Sequence, residues 1–394
     1  MEPPETIAAR SPESAPRMPD SWRTAVIGGG LLWLASRTLV TLVAMLSRLA
    51  TTGGPLSGQP FWRLLFNWDS DYFIEIAKTG YFVSSRAAKL PAFFPGYPGA
   101  SALLAKALPF TGDPVGWGMF GVNVLAGLAA AILLWRLAEH TGGGEVAFTA
   151  TALFVFSPYA VFLHASYSEP LFLAFAVGAW YAGTRESWWL AGLLAAGASF
   201  TRVNGLFLVA ALVVMYLVAA RRAGAPVLRW AALGPLLGGL GAAAYIVWLW
   251  THTGSFSTWQ HAQKVGWGRQ TKWPWDSLAA TVRYIHSVHP SFRPQYALDI
   301  VFGVGAMLVI VWLIVKRQWP TVVYAGLTLG VMVTSSRWMS VARNTLTMFP
   351  IAVALAVACA QGTWRRRALT VVLVFSVALL AFNTHQFTLR LWAD

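Results

Sequence analysis

Charged residues are scarce in this chain of 394 residues: Asp, Glu, Lys and Arg make up 11%, against 57% apolar residues. That composition lies far from a soluble globular domain and matches a polytopic membrane protein. Cysteine is scarcer still. The one thiol, Cys359, falls inside an apolar run, so no intrachain disulfide and no thiolate metal cluster can form, and it reads as a small core residue. Acids are outnumbered, 15 against 29 Lys and Arg. In a soluble protein this excess would point to nucleic acid, but here the basic residues sit beside apolar spans, where they set topology and meet anionic lipid. The sequence also lacks a P-loop, a dinucleotide fingerprint, an inverted repeat and any N-x-[ST] sequon.

What is present is a series of apolar runs. Spans are expected at about 24–48, 115–137, 146–163, 169–184, 188–203, 205–220, 230–251, 297–316, 319–335, 345–361 and 367–385, eleven transmembrane helices in an all-α polytopic membrane protein. Residues 1–23, polar and Pro-rich, read as a disordered cytoplasmic tail, and 24–394 as a single transmembrane domain. The run 24–46 is too long for a signal-peptide core and lacks a small-residue cleavage site, so it is an uncleaved first span. The stretch 96–110 is apolar but short, carries Lys106 and is broken by Pro95, Pro98 and Pro109. It is taken as a re-entrant or interfacial piece of the first loop.

Loop charge supports that choice. With the tail inside, the cytoplasmic loops hold Arg136 with His140, Arg185, Arg221-Arg222 with Arg229, Lys316-Arg317 and Arg365-Arg366-Arg367, as the positive-inside rule requires. Counting 96–110 as a span would reverse every later loop. The same assignment places the polar, non-repetitive loops together on the extracytoplasmic face: a long first loop (about 50–114), His164–Pro170, Thr201–Gly205, a second long loop (about 252–296) and Ser335–Asn344.

The most unusual stretch is Phe66-Asn67-Trp68-Asp69-Ser70-Asp71-Tyr72-Phe73-Ile74-Glu75, three carboxylates among aromatics in an apolar chain. Such acids are costly unless they face water or a substrate. One reading is a capped interfacial helix, with Asn67 or Asp69 as cap and Asp71 and Glu75 spaced i, i+4 on a solvated face. The other is a reactive centre, in which an Asp accepts the proton of an acceptor hydroxyl while a sugar leaves a phosphate. A lipid-phosphate leaving group needs cations, and Arg202, Arg337 and Arg343, all expected at outer span ends, present fork-like donors. Each could instead snorkel to head groups.

Trp68-Asp69 with Ile76-Ala77-Lys78-Thr79-Gly80-Tyr81, followed by Phe93-Phe94-Pro95-Gly96-Tyr97-Pro98, resembles the signature of the PIG-V type mannosyltransferases. Ser166-Tyr167-Ser168-Glu169 and Thr201-Arg202-Val203-Asn204-Gly205 are similar to that family's later motifs, in the same order. The resemblance runs from Ser36 to about Pro350 and weakens over 252–296. It implies the GT-C fold, a polyprenyl-phosphate mannose donor, no nucleotide and no metal cofactor, and a first-loop aspartate as catalytic base, which carries over onto Asp69. Asp71 has no matched position, so its part, like that of Trp68, is supporting or acceptor-binding.

Other residues carry two readings each. Glu169 either contacts acceptor hydroxyls and braces an arginine, or caps the helix that Pro170 opens, although Ser168 is the better cap. Asn204 joins the acceptor side. His164 is an interfacial histidine or a phosphate contact. Arg37 lies mid-span in the first helix and must pair with an acid or with the donor phosphate. The run 253–275 interleaves Trp259, Trp267, Trp273 and Trp275 with Gln263, Lys264, Arg269 and Lys272. It suits either an interfacial Trp belt or a cover that stacks on a sugar while Lys264 meets phosphate. His286 and His289 with Asp299 complete no metal set.

The expected function is therefore transfer of mannose from a polyprenyl-phosphate donor to an acceptor hydroxyl on the extracytoplasmic face, with inversion and with Asp69 as base. The partners are the lipid donor, a glycolipid, glycan or protein acceptor, and membrane lipid, in a prokaryotic plasma membrane by composition. Three alternatives stand: the same chemistry with arabinose or glucose; a transporter or flippase of a lipid-linked sugar, which would call for charged or broken segments at mid-bilayer; and a non-catalytic membrane subunit or acceptor-binding partner, which would tolerate loss of Asp69.

Overall fold

The computed structural model describes residues 22–52, 60–83, 86–109, 111–360 and 362–391. The expected cytoplasmic tail therefore lies, except for its last residues, outside the described residues. Among those described, all regular structure is helical. In chain order the α-helices are α1 (Trp22–Thr52), α2 (Ser70–Thr79), α3 (Gly96–Ala107), α4 (Pro114–Gly142), α5 (Gly144–Val155), α6 (Glu169–Thr184), α7 (Trp188–Thr201), α8 (Asn204–Arg222), α9 (Leu233–Leu236) and α10 (Leu240–Thr253). They continue with α11 (Thr258–Trp267), α12 (Pro274–Ser287), α13 (Arg293–Val315), α14 (Trp319–Val333), α15 (Val341–Thr345), α16 (Phe349–Ala360) and α17 (Thr363–Thr388).

Helical segments fall within the expected apolar runs, and the chain is a multi-pass helical membrane protein. Among the described residues, six helical stretches are long and apolar enough to cross a bilayer: Trp22–Thr51, Pro114–Gly142, Asn204–Arg222, Trp230–Thr253, Pro290–Val315 and Thr363–Thr388. The other five, α5, α6, α7, α14 and α16, have 12, 16, 14, 15 and 12 residues, below the roughly 20 that a perpendicular crossing takes.

One expected span is broken. The run 146–163 is not one helix: α5 stops at Val155, Pro158 follows, and the chain re-forms only as a 3-10 turn over Ala160–Leu163, because proline cannot continue the ladder. The stretch 96–110, read as interfacial or re-entrant, contains a regular helix, α3. Its Tyr97 and Ser101 are fully buried, and Tyr97 hydroxyl donates to the Met119 carbonyl of α4 at 3.3 Å.

Close backbone approach explains much of the glycine content. A methyl at Gly192 of α7 would lie 1.7 Å from the Gly234 carbonyl oxygen, and one at Gly241 of α10 would lie 2.0 Å from that of Ala196. α7 thus packs backbone to backbone against 234–241, which is how helices without a hydrophobic driving force between them associate. The core centres on α6, where Phe172, Leu173, Ala176, Val177 and Ala179 are wholly buried. Loops gather at the end of the bundle where α6 begins: α2, the end of α7, the α10–α12 region and α15.

Candidate functional site

The turn into α2 is held from both sides. Asn67 is buried; its Nδ2 donates to the Phe387 carbonyl at 2.9 Å, and its Oδ1 accepts from Arg390 Nε at 2.7 Å. Tyr167 hydroxyl accepts the Asp69 N–H at 3.2 Å and donates to the Asn67 carbonyl at 3.2 Å. Trp68, between them, has φ 57, a left-handed conformation that costs a bulky L-residue about 1–2 kcal/mol and persists only where neighbours fix it. The result is that Asp69 occupies the N-cap position of α2 while its side chain makes no capping bond. The carboxylate instead faces Arg343, with Oδ2 3.3 Å from Nη1.

Arg343 is carried by α15, a helix of five residues. Ser340, with φ 59, turns the chain into it, and Asp299 Oδ1 accepts the Ala342 N–H at 2.8 Å. The guanidinium lies 4.5 Å and 4.4 Å from the ring centres of Phe162 and Tyr167, a placement that suits a planar, weakly hydrated cation. Arg343 Nε donates to Glu169 Oε1 at 2.6 Å, and Arg202 Nη1 reaches the same oxygen at 2.9 Å. Glu169 has no exposed surface. One buried carboxylate thus holds two arginines side by side, and with Asp69 the four formal charges cancel, as burial requires. The Ser168 hydroxyl does not cap α6; it accepts from Arg202 Nη1 at 3.0 Å.

Two cavities meet at Asp69. The larger, about 810 Å³, is lined by Trp68, Asp71, Tyr72, Arg86, Lys272, Tyr284 and Arg337 among others. The smaller, about 150 Å³, is lined by Arg202, Arg269 and Arg343 together with the apolar Phe93, Phe94, Val203, Val331 and Met332. Asp69, Trp267 and Met339 border both. The Tyr72 phenol is pushed above its ordinary pKa, by burial first and next by the Asp69 carboxylate, so it remains a hydrogen-bond donor in the larger cavity.

The structure thus brings together Asp69, Asp71, Trp68, Asn204, Arg202, Arg337 and Arg343 around these spaces, with Glu169 directly behind the arginines. Arg337 stacks on Tyr284, 4.2 Å from the ring centre, and Asn204, buried at the start of α8, lines the smaller cavity. Three other residues stand apart. Lys264 is exposed on α11 and borders neither cavity. Arg37 is buried and meets no acid in its bonds to Ser36 Oγ (2.8 Å) and to the carbonyls of Ala160 (2.8 Å) and Val155 (3.2 Å). It braces the break after α5, whose carbonyls lack helical partners. His164 is buried with Nε2 3.1 Å from Thr41 Oγ1. Arg269 and Lys272 take the place expected of Lys264, because α11 ends at Trp267 and the chain beyond Gly268 crosses over the cavities. Arg86, missed in the sequence, lies 5.5 Å from the Tyr72 ring centre and 3.5 Å from Glu75. Its signal was only a basic residue within the first loop.

Residues 54–222 match the family described as Mannosyltransferase (PIG-V). The GPI alpha-1,6-mannosyltransferase 2 of Rattus norvegicus is 36% identical over 149 residues, covering 36% of this chain and 30% of that protein. That of Homo sapiens is 34% identical over 149 residues, with 36% and 29% covered, so the chain spans about a third of the length of these relatives. A crystal structure of the Archaeoglobus fulgidus oligosaccharyltransferase in complex with Zn and sulfate is similar at a TM-score of 0.45 and 12% identity, covering 89% of this chain and 53% of that one. The resemblance expected from the motifs is present, and the matched stretch holds Asp69, Glu169 and Arg202.

Proposed function

We propose, from the likeness of residues 54–222 to the PIG-V mannosyltransferases, that this chain is a membrane mannosyltransferase of GT-C type that uses a polyprenyl-phosphate mannose donor and needs no metal or nucleotide. The observation that carries this reading is the Asp69 carboxylate, released from helix capping and bordering both cavities beside Arg343. In the smaller cavity Arg202, Arg343 and Arg269 receive the donor phosphate, and the apolar wall receives the first units of its lipid tail. The larger cavity, with its mixture of acids, bases and aromatic hydroxyls, receives the acceptor.

Transfer is a single displacement. The acceptor hydroxyl gives its proton to Asp69 as its oxygen bonds to the anomeric carbon. The bond from that carbon to the phosphate oxygen breaks, and its electron pair leaves with polyprenyl phosphate, whose added charge is met by the two arginines. Attack from the face opposite the phosphate inverts the anomeric centre. The basic short loops lie at the other end of the bundle, and by the positive-inside rule that distribution supports an extracytoplasmic site.

The test is incorporation of label from undecaprenyl-phosphate mannose into a crude lipid, glycan and protein acceptor fraction by membranes containing the full chain. Asp69→Asn should lower transfer by about 10²–10⁴-fold, the range of general-base catalysis. Undiminished transfer by Asp69→Asn would remove the aspartate from the chemistry, and label moved only from polyprenyl-phosphate arabinose or glucose would change the sugar.

A further inference from the structure

A sugar that passes between two cavities must occupy their junction, because its anomeric carbon bonds to phosphate on one side and to the acceptor oxygen on the other. Three residues border both spaces: Asp69, Trp267 and Met339. Only one of them offers a flat apolar face. The other aromatics of the larger cavity (Trp68, Tyr72, Tyr284, Tyr296) do not reach the smaller, nor do those of the smaller (Phe73, Phe93, Phe94, Trp259) reach the larger.

We propose that Trp267 is the platform on which the transferred sugar of the donor stacks. This rests on the transferase reading above. The indole is held in place from beneath: its ring centre lies 5.9 Å from that of Tyr72 and 5.4 Å from that of Phe93, so two separate stretches of the first loop fix its orientation. Its backbone is pinned on either side as well. Upstream, Gln263 Nε2 and Trp259 Nε1 both donate to the Ala92 carbonyl at 3.3 Å. Downstream, Ser336 Oγ donates to the Gly268 carbonyl at 2.6 Å, and the Lys272 N–H donates to the Thr334 carbonyl at 2.7 Å. Gly268, with φ 63, makes the turn that ends α11 at this residue. A pre-oriented indole binds the C–H face of a pyranose without demanding hydrogen bonds. It therefore stabilises the donor through its sugar and leaves the phosphate contacts to the arginines.

That separation sets the test. Membranes containing the full-length wild type, Trp267→Phe or Trp267→Leu are assayed for transfer from undecaprenyl-phosphate mannose, with sugarless undecaprenyl phosphate as competitor. For Trp267→Leu we expect the KM for the mannosylated donor to rise roughly tenfold, the scale of one aromatic contact, while the inhibition constant of the sugarless lipid stays at the wild-type value. Trp267→Phe, which keeps a ring, should stay within about threefold. An unchanged inhibition constant also reports an intact fold. If both constants rise together, or neither moves, Trp267 is no sugar platform and the proposal fails while the transferase reading stands. If the wild type transfers no sugar from any polyprenyl-phosphate donor, the transferase reading fails and the platform with it.

Discussion

Arg343 Nη1 lies 3.3 Å from Asp69 Oδ2, across 274 positions of sequence. In the proposed reaction, the cation that meets the leaving phosphate is also the one that orients the proposed base. The planar fork of the guanidinium is what allows it to bond Glu169 through Nε and Asp69 through Nη1 at once.

Replacing Arg343 by Lys should accordingly be severe although the charge is kept. An ammonium cannot hold both carboxylates in one plane. We expect kcat/KM to fall about 10²–10³-fold, about 3–4 kcal/mol, which lies within the range for a buried, hydrogen-bonded charge contact. Initial rates with undecaprenyl-phosphate mannose measure it, and a lysine variant within threefold of wild type would show that the fork is dispensable.

Glu169 touches neither cavity, so its loss should appear first in stability. Glu169→Gln leaves two neighbouring arginines without their shared counter-ion, and breaking a buried pair in this way destabilises by about 3–5 kcal/mol. The thermal unfolding midpoint of detergent-purified protein should drop clearly, whereas Asp71→Asn, at an exposed carboxylate, should leave it within a degree or two. Equal midpoints for wild type and Glu169→Gln would refute the shared-anchor role.

The two glycines of α3 offer a matched pair. A methyl at Gly96 would meet Thr201 Oγ1 at 2.6 Å and the Phe200 carbonyl oxygen at 2.9 Å, whereas one at Gly99 meets nothing within 4 Å. Gly96→Ala should destabilise by about 1–3 kcal/mol through overpacking, displacing the end of α7 next to Arg202. Gly99→Ala should be neutral or stabilising by up to about 1 kcal/mol. Unfolding midpoints of the two variants in one detergent decide the matter.

The sidedness of the bundle can be read with thiols because the chain has a single cysteine. In a Cys359→Ala background, a membrane-impermeant maleimide added to intact cells should label Gln270→Cys, on the segment that crosses the cavities, and should not label Ala223→Cys beside Arg221-Arg222. The reverse pattern would turn the protein over and move the proposed site to the cytoplasmic face.

Much of this was legible in residue order. Apolar run lengths locate the long helices, and the clustering of Asp69, Asp71 and Glu75 in a charge-poor chain marks the place where cavities open. What was not legible depended on contacts between distant segments. That Glu169 joins two arginines follows from the ends of α7 and α15 meeting the start of α6, which no local pattern encodes. Which lysine of 253–275 turns inward depends on where α11 stops. Lys272 lies beyond the end of that helix, so helical periodicity cannot select it over Lys264. Arg37 was correctly read as needing partners, but backbone carbonyls exposed by the break near Pro158 serve as well as an acid does, and the sequence does not distinguish them.

The bonds from Asn67 to Phe387 and Arg390 set a condition on how the protein is made. During synthesis the turn that presents Asp69 is among the early parts to emerge, yet its clamp is more than three hundred residues downstream. Until α17 has been inserted, the left-handed backbone at Trp68 is held from the Tyr167 side alone, and the aspartate can fall back more readily into ordinary helix capping. A chain inserted only as far as α16 would hold every acid and arginine of the site and still leave its base unaimed. Activity should therefore depend on the insertion of α17 rather than accumulate helix by helix.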